Sequence, residues 1–321
     1  MYICVTVCHN ETGHFNYSSF NLDRRKYIGY IVTGLFSLIA NTILIALVLS
    51  RPVLRKNYLL YSVLAAGDLS LALGHLSSAV YRIAHFSPGI YPGLSPLSCI
   101  LKPFTQLYVV GLQLPSLTTL LLSCQRFTAL IRPFWYVEIW SEQISKKLAI
   151  YLVVSVVFSC FLMIGLSLSR GNIAIEPICR AFHAWGAAYT SFNNKFLLAT
   201  TVGSICLNGI TVLLYIRYRK HAVVGNFDVV TELRRFYVVL AISATAATCF
   251  LVPHILATLY SRRLISEVSF YKYLIPSFYL TGLNSGLNII IYVCLLKDFR
   301  NETLRTVRNT VTAFTVQFRR S

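Results

Sequence analysis

The sequence predicts an all-α membrane protein built as a bundle of seven transmembrane helices, and three observations carry that expectation. Apolar residues make up 56% of the 321 residues and charged residues only 12%, about half the roughly 25% of soluble domains. Cutting the chain at its lysines and arginines leaves seven intervals of 21 to 26 residues that carry at most one charge each. A helix of about 20 apolar residues crosses a hydrocarbon core of about 30 Å, so every interval is long enough. Strands of a soluble α/β domain would be shorter and separated by charged helix faces.

Taken in order, the intervals are Tyr27–Ser50, Asn57–Tyr81, Pro103–Gln125, Leu148–Ser169, Phe196–Ile216, Phe236–Ser261 and Tyr273–Leu296. They divide the chain into a segment over residues 1–26, a bundle over 27–296 and a tail over 297–321. The connections are short; the longest external one is Arg170–Lys195. No internal repeat is visible, and an odd helix count argues against a transporter built from inverted repeats.

The net charge of +18 would suit a nucleic-acid partner only if it lay on one soluble face. Instead the cations sit at the ends of the apolar intervals. With the N-terminus outside, eighteen of the 29 lysines and arginines fall on the cytoplasmic side, the asymmetry that sets membrane topology. The sequons at Asn10 and Asn16 are expected glycosylation sites and agree with that orientation. The start MYICVTVC lacks a basic n-region and a cleavage site, so the first helix is expected to serve as an uncleaved anchor.

Of nine cysteines, Cys124, Cys160, Cys206, Cys249 and Cys294 fall inside the intervals, where cysteine is a small polarizable core residue. Cys99 stands just outside the third interval and Cys179 in the second external connection. A disulfide between them would pin that connection over the bundle in an oxidising compartment. Cys4 and Cys8 are also external, and their spacing leaves their pairing open.

Asn41, Asp68, Asn284, Ser285 and Asn288 lie well inside the intervals, and Asp68 is the only acid in any of them. A carboxylate at that depth costs about 2.5–3.5 kcal/mol on insertion scales, so it is expected to face the bundle interior as a functional or packing device. These residues could form one hydrogen-bonded cluster across the first, second and seventh helices.

In their order and spacing, these residues resemble the rhodopsin-like class of G-protein-coupled receptors over nearly the whole chain. Asn41, Leu64-Ala65-Ala66-Gly67-Asp68 and Cys99 match the first three helices of that family. Gln125-Arg126-Phe127 with Leu130 and Pro133-Phe134-Trp135-Tyr136 is similar to D-R-Y-x-x-I-x-x-P-L-x-Y. Pro253 matches the sixth-helix proline, and Asn284-Ser285-x-x-Asn288-x-x-x-Tyr292 followed by Phe299 resembles N-S-x-x-N-P-x-x-Y and the start of a short amphipathic eighth helix. The chain departs from the family at Gln125, which takes the acid position beside Arg126, at Ile289, which replaces a proline, and at Leu251, where tryptophan is usual. Pro115 inside the third helix is expected to kink it. Such departures, with the short loops, resemble the nematode serpentine chemoreceptors of the srsx type; an orphan peptide receptor is the runner-up.

The resemblance implies an external ligand that biases a two-state bundle, a heterotrimeric G protein on the cytoplasmic side, a plasma-membrane location, and neither a cofactor nor enzymatic chemistry. Arg126, Tyr215 and Tyr292 are the implied switch contacts, Pro253 the pivot, and Arg217, Arg219, Lys220, Arg234 and Arg235 a basic rim. Without an acid at Gln125, Glu232 is the nearest candidate counter-charge for Arg126, and a weakly restrained resting state follows. Implied pocket residues are His75, Tyr81, Lys102, Gln106, Tyr108, His254, Phe278 and Tyr279. The amine-binding acid of aminergic receptors falls on Tyr108 and the retinal lysine of opsins on Gly282, which disfavours amines and excludes a Schiff base. A net charge of +7 outside points to a small neutral or anionic ligand. Three other classes compete. A zinc hydrolase would have only His75, His254 and Asp68 to draw on, a poor ligand set; a channel would place the N-terminus inside; and a receptor-like protein that no longer signals would tolerate Gln125 and Ile289.

Overall fold

A computed structural model describes residues 14–16, 20–86, 90–171, 173–221, 237–245, 248–249, 252, 255–256, 267–297, 299–306 and 308. In chain order the elements are β1 (His14–Asn16), α1 (Phe20–Ser50), α2 (Pro52–His85), β2 (Ile90–Pro92), α3 (Pro96–Ile100), α4 (Pro103–Ile131), α5 (Pro133–Ile139), α6 (Glu142–Leu168) and α7 (Ala181–His221). They continue with α8 (residues 237–245), α9 (Glu267–Leu295) and α10 (Phe299–Thr306). The described chain is therefore almost entirely helical. Five helices, α1, α2, α4, α6 and α7, are long and apolar enough to cross a membrane, and α9 with α10 meets the same criterion as a pair bent by 101°.

Prolines punctuate this series. Pro52, Pro96, Pro103 and Pro133 each open a helix at its first turn, where the missing N–H removes no intrahelical bond and the fixed φ suits the helix. The preceding residue is pushed out of helical backbone, so Arg51 and Arg132 become the corners at which α1 and α4 end. α6 starts instead on Ser141, whose hydroxyl accepts from the Ile144 N–H at 3.4 Å.

α2 is the central helix. It packs against α1, α4, α9 and α6, while α4 carries the contacts to α6 and α7. In its most apolar stretch 61% of α2 is buried, against 17% of α6, so α6 is a peripheral helix whose outward face is left for lipid. Small residues bring α2 and α4 together: a Cβ on Gly67 would lie 2.5 Å from the Pro115 ring, and one on Gly111 would lie 2.5 Å from the Leu71 backbone nitrogen. Glycine interfaces of this kind let helix backbones approach closely in a membrane.

The ends of the bundle differ. At the end that holds the Cys99–Cys179 disulfide, Cys99, Ile100, Phe104, Met163, Ile175 and Trp185 share one buried cluster. At the opposite end, near Arg126, Leu44, Tyr61, Leu122, Val239, Tyr292 and Phe299 share another. Outside the disulfide end, β1 pairs antiparallel with β2, Phe15 opposite Tyr91, and Leu94 bridges to Ile175.

Several expectations need correction. The Arg170–Lys195 connection is not a loop throughout, because α7 begins at Ala181 and carries Lys195 within it. The reason is visible in the side chains: Trp185, Tyr189, Asn193 and Leu197 recur every four residues and are all buried, a helical face that a cut at Lys195 conceals. The same helix breaks its regular backbone at Gly186, φ 76°, where a Cβ would lie 2.8 Å from Arg170. α4 runs from Pro103 to Ile131 with Pro115 inside it. α9 begins at Glu267, before Tyr273. The interval Phe236–Ser261 is described only in part, and Pro253, His254, Leu251, Glu232, Arg234, Arg235, Asn10, Cys4 and Cys8 lie outside the described residues, as do the side chains of Asn16, Arg219, Lys220 and Phe278.

Candidate functional site

The polar residues expected to cluster do so. Asn41 on α1 donates through Nδ2 to the Ser285 carbonyl and hydroxyl, both at 3.1 Å, and to its own helix at Ser37 O, 2.9 Å. Ser285 donates to the Asp68 carbonyl at 3.3 Å, and Asn288 Nδ2 donates to Asp68 Oδ2 at 2.6 Å. Ser37 adds a bond to the Gly282 carbonyl. α1, α2 and α9 are thereby tied together at one level of the bundle, with Asp68 only 1% exposed. Asn284 is buried beside this chain, and its Oδ1, like that of Asn288, makes no hydrogen bond.

A second buried polar group, which the sequence reading missed, joins α4, α7 and α8. Ser123 and Ser204 hydroxyls lie 2.7 Å apart, Ser204 and Ser243 lie 3.2 Å apart, and Asn208 Nδ2 donates to Ser123 at 3.0 Å and Ser243 at 2.7 Å. Between the two groups lies a cavity walled by Asp68, Asn284 and Asn288 on one side and by Thr119, Ser204 and Ser243 on the other. Nearer the disulfide end, Gln113 Nε2 donates to Asn193 Oδ1 at 2.8 Å and to the Tyr189 hydroxyl at 3.2 Å, and Tyr189 meets Ser159 at 2.8 Å. This group joins α4, α6 and α7.

At the disulfide end the expected Cys99–Cys179 bond is formed, with Cα atoms 5.3 Å apart. Cys179 has φ 49°, a left-handed backbone that costs a non-glycine residue roughly 1–2 kcal/mol. Its surroundings hold it there: its N–H donates to the Glu176 carbonyl at 3.0 Å, and Arg82 donates to the Ile178 and Cys179 carbonyls at 3.1 and 3.3 Å. Glu176 is itself buried, 4% exposed, with Arg180 Nε at 3.3 Å and His183 Nδ1 at 3.2 Å. Burial pushes its carboxyl up, but Arg180 and His183 together outweigh that and hold it below the usual carboxylate range.

Of the expected pocket residues, His75, Tyr108 and Tyr279 come together, and Tyr30 on α1 joins them. Tyr108 OH sits 2.8 Å from Ser78 and 3.3 Å from His75 Nδ1; Tyr30 stacks on His75 at 5.1 Å and meets Tyr279 at 5.2 Å. Tyr81 and Lys102 form a separate pair, the ammonium 5.0 Å over the ring. Gln106 Nε2 donates to the Ile100 carbonyl at 3.5 Å. At the Arg126 end, Gln125 and Arg126 are both buried on α4. Tyr292 packs edge-on against Tyr61 at 5.1 Å, its buried hydroxyl without a hydrogen bond, and Tyr215 lies half-buried on α7. Past the α4 corner, Phe134 is 90% exposed and Arg132 stacks over Trp135 at 4.5 Å. Arg51 ties the α1–α2 corner to α10 through Glu302 at 3.5 Å and Thr306 at 3.2 Å.

Arg82 was legible only as a boundary cation, although His75, Ser78 and Arg82 keep the i, i+3, i+7 spacing of one helix face. The chain matches no protein-family model and no curated protein sequence.

Proposed function

We propose that this chain is a G-protein-coupled chemosensory receptor of the plasma membrane, a seven-helix bundle with its N-terminus outside and α10 and the tail in the cytoplasm. The observation that carries this reading is the single hydrogen-bonded chain through Asn41, Ser285, Asp68 and Asn288. It spends a carboxyl group and two amides deep in an apolar bundle, joining the same three helices as in the resembling family. In this reading an external ligand stabilises a second arrangement of the bundle, and it can shift the populations only by its differential affinity for the two. The polar group on α4, α7 and α8 holds the sixth helix inward; its release would open the Arg126 end to a G protein. Pro253 is the pivot in this reading, since a proline has no N–H to give a helical hydrogen bond.

A second reading, a receptor-like protein that no longer signals, is favoured by Gln125 and Ile289, where the usual acid and proline are replaced. A third, a channel with an internal N-terminus, is separated by one experiment. Glycosidase treatment of wild-type protein and of Asn10→Gln with Asn16→Gln should lower the mass of the wild type alone. A cytoplasmic N-terminus, unglycosylated and protected from external protease, would remove the receptor reading.

A further inference from the structure

The face of α2 that ends at the disulfide carries hydrogen-bonding side chains whose capacity is only partly used. His75, Ser78 and Arg82 rise along it over about two turns, at about 1.5 Å per residue. Two tyrosines of α1 lie against the same face: Tyr30 stacks on His75, its ring tilted by only 15°, and Tyr27 lies 5.3 Å from the Arg82 guanidinium carbon. The ring centroid of Phe104 on α4 lies 5.9 Å from the same carbon.

Arg82 is 7% exposed, and among the described residues no carboxylate is paired with it. The acid closest in effect, Glu176, is already shared between Arg180 and His183. A guanidinium has five N–H donors, and the two carbonyls of Ile178 and Cys179 occupy two of them. His75 Nε2 is buried and makes no hydrogen bond, and it is a donor in the tautomer whose Nδ1 accepts from the Tyr108 hydroxyl. The rings of Tyr30, Tyr108 and Tyr279 beside it are only half-buried. A cation taken out of water without a counter-ion costs several kcal/mol. Donors outnumber acceptors here, and aromatic faces surround them.

We propose that this face is a carboxylate-binding subsite: Arg82 takes the carboxylate of a small organic acid, and the acid's apolar body lies against Tyr30 and Tyr279, within reach of His75 Nε2. One planar fork matches one carboxylate. A phosphate dianion would ask for a second cation, and Lys102 is held over Tyr81. The subsite rests on the receptor reading for its purpose, and binding is measured separately from signalling for that reason.

The test uses purified full-length protein in lipid nanodiscs with three matched probes, 4-phenylbutanoate, its primary amide and 4-phenylbutylamine. Wild type should bind the carboxylate about tenfold or more tighter than the amide, the worth of a charge-assisted hydrogen bond, and the amine more weakly still. Arg82→Gln should erase that discrimination while keeping the Cys99–Cys179 disulfide. Because Arg82 also clamps two loop carbonyls, His75→Phe serves as the second variant: it keeps the stack on Tyr30 and should weaken carboxylate binding alone. Equal binding of acid and amide by wild type, discrimination that survives in folded Arg82→Gln, or carboxylate affinity untouched by His75→Phe would each overturn the subsite. Nucleotide exchange on added G protein reads the other question. Carboxylate binding with no exchange under any condition removes the receptor reading and leaves the subsite; exchange without carboxylate binding does the reverse.

Discussion

Two polar groups face each other across one cavity, and they are built on different terms. The group on α1, α2 and α9 centres on a carboxyl, Asp68, whose one side-chain donor among the described residues is Asn288 at 2.6 Å. The group on α4, α7 and α8 is neutral, and its members share partners: Ser123 and Ser243 each meet both Ser204 and Asn208. Losing one donor therefore leaves a buried carboxyl oxygen bare in the first group but only thins a network in the second. The first is suited to fix three helices permanently, and the second to part and re-form as one helix moves.

Asn288→Leu breaks the comparison most sharply. It leaves Asp68 Oδ2 buried without its donor, which costs about 1–3 kcal/mol, and more where the group is charged. The melting temperature in nanodiscs should fall clearly. Asn208→Leu should cost less, about 0.6 kcal/mol on average for a bond between membrane helices and at most about 1.7, because each serine keeps Ser204. Equal losses in the two variants would show that the carboxyl makes no difference. Ser243→Ala should change stability least, yet raise basal nucleotide exchange, since it removes the one α8 side chain in the second group; lowered exchange would refute the idea that this group restrains α8. Gln125→Glu should act in the opposite direction. It restores an acid beside Arg126 and should lower basal exchange with little effect on melting.

The two groups also differ in how far they could be read from the sequence. An acid and asparagines are rare in apolar intervals, so Asn41, Asp68, Asn284 and Asn288 announce themselves, and by the same rule Asn208, well inside Phe196–Ile216, was the one legible mark of the second group. Serine and threonine do not, because in a helix their hydroxyls commonly bond to the carbonyl four residues back, as Thr118 and Thr128 do here at 2.7 and 2.9 Å. Nothing local separates those from Ser123, which makes the same bond to Thr119 O at 2.9 Å and also meets Ser204 and Asn208 of another helix, or from Ser204. Arg82 and the start of α7 were obscured for a different reason: cutting at cations treats each one as a helix end, whereas Arg82 lies buried in α2 and Lys195 within α7. The Cys99–Cys179 pairing was legible because both residues stand outside the apolar intervals. Its left-handed Cys179 and the Arg82 clamp depend on a loop fold that no local pattern encodes.

In the proposed receptor, the Arg126 end of the bundle engages a G protein from a weakly restrained resting state. Basal nucleotide exchange on a panel of purified heterotrimers, measured for wild type and Arg126→Ala in the same nanodiscs, tests it most directly. Wild type should accelerate exchange on at least one heterotrimer without ligand, and Arg126→Ala should return it to the rate of empty discs. Identical rates for wild type, Arg126→Ala and empty discs across the panel would contradict the account.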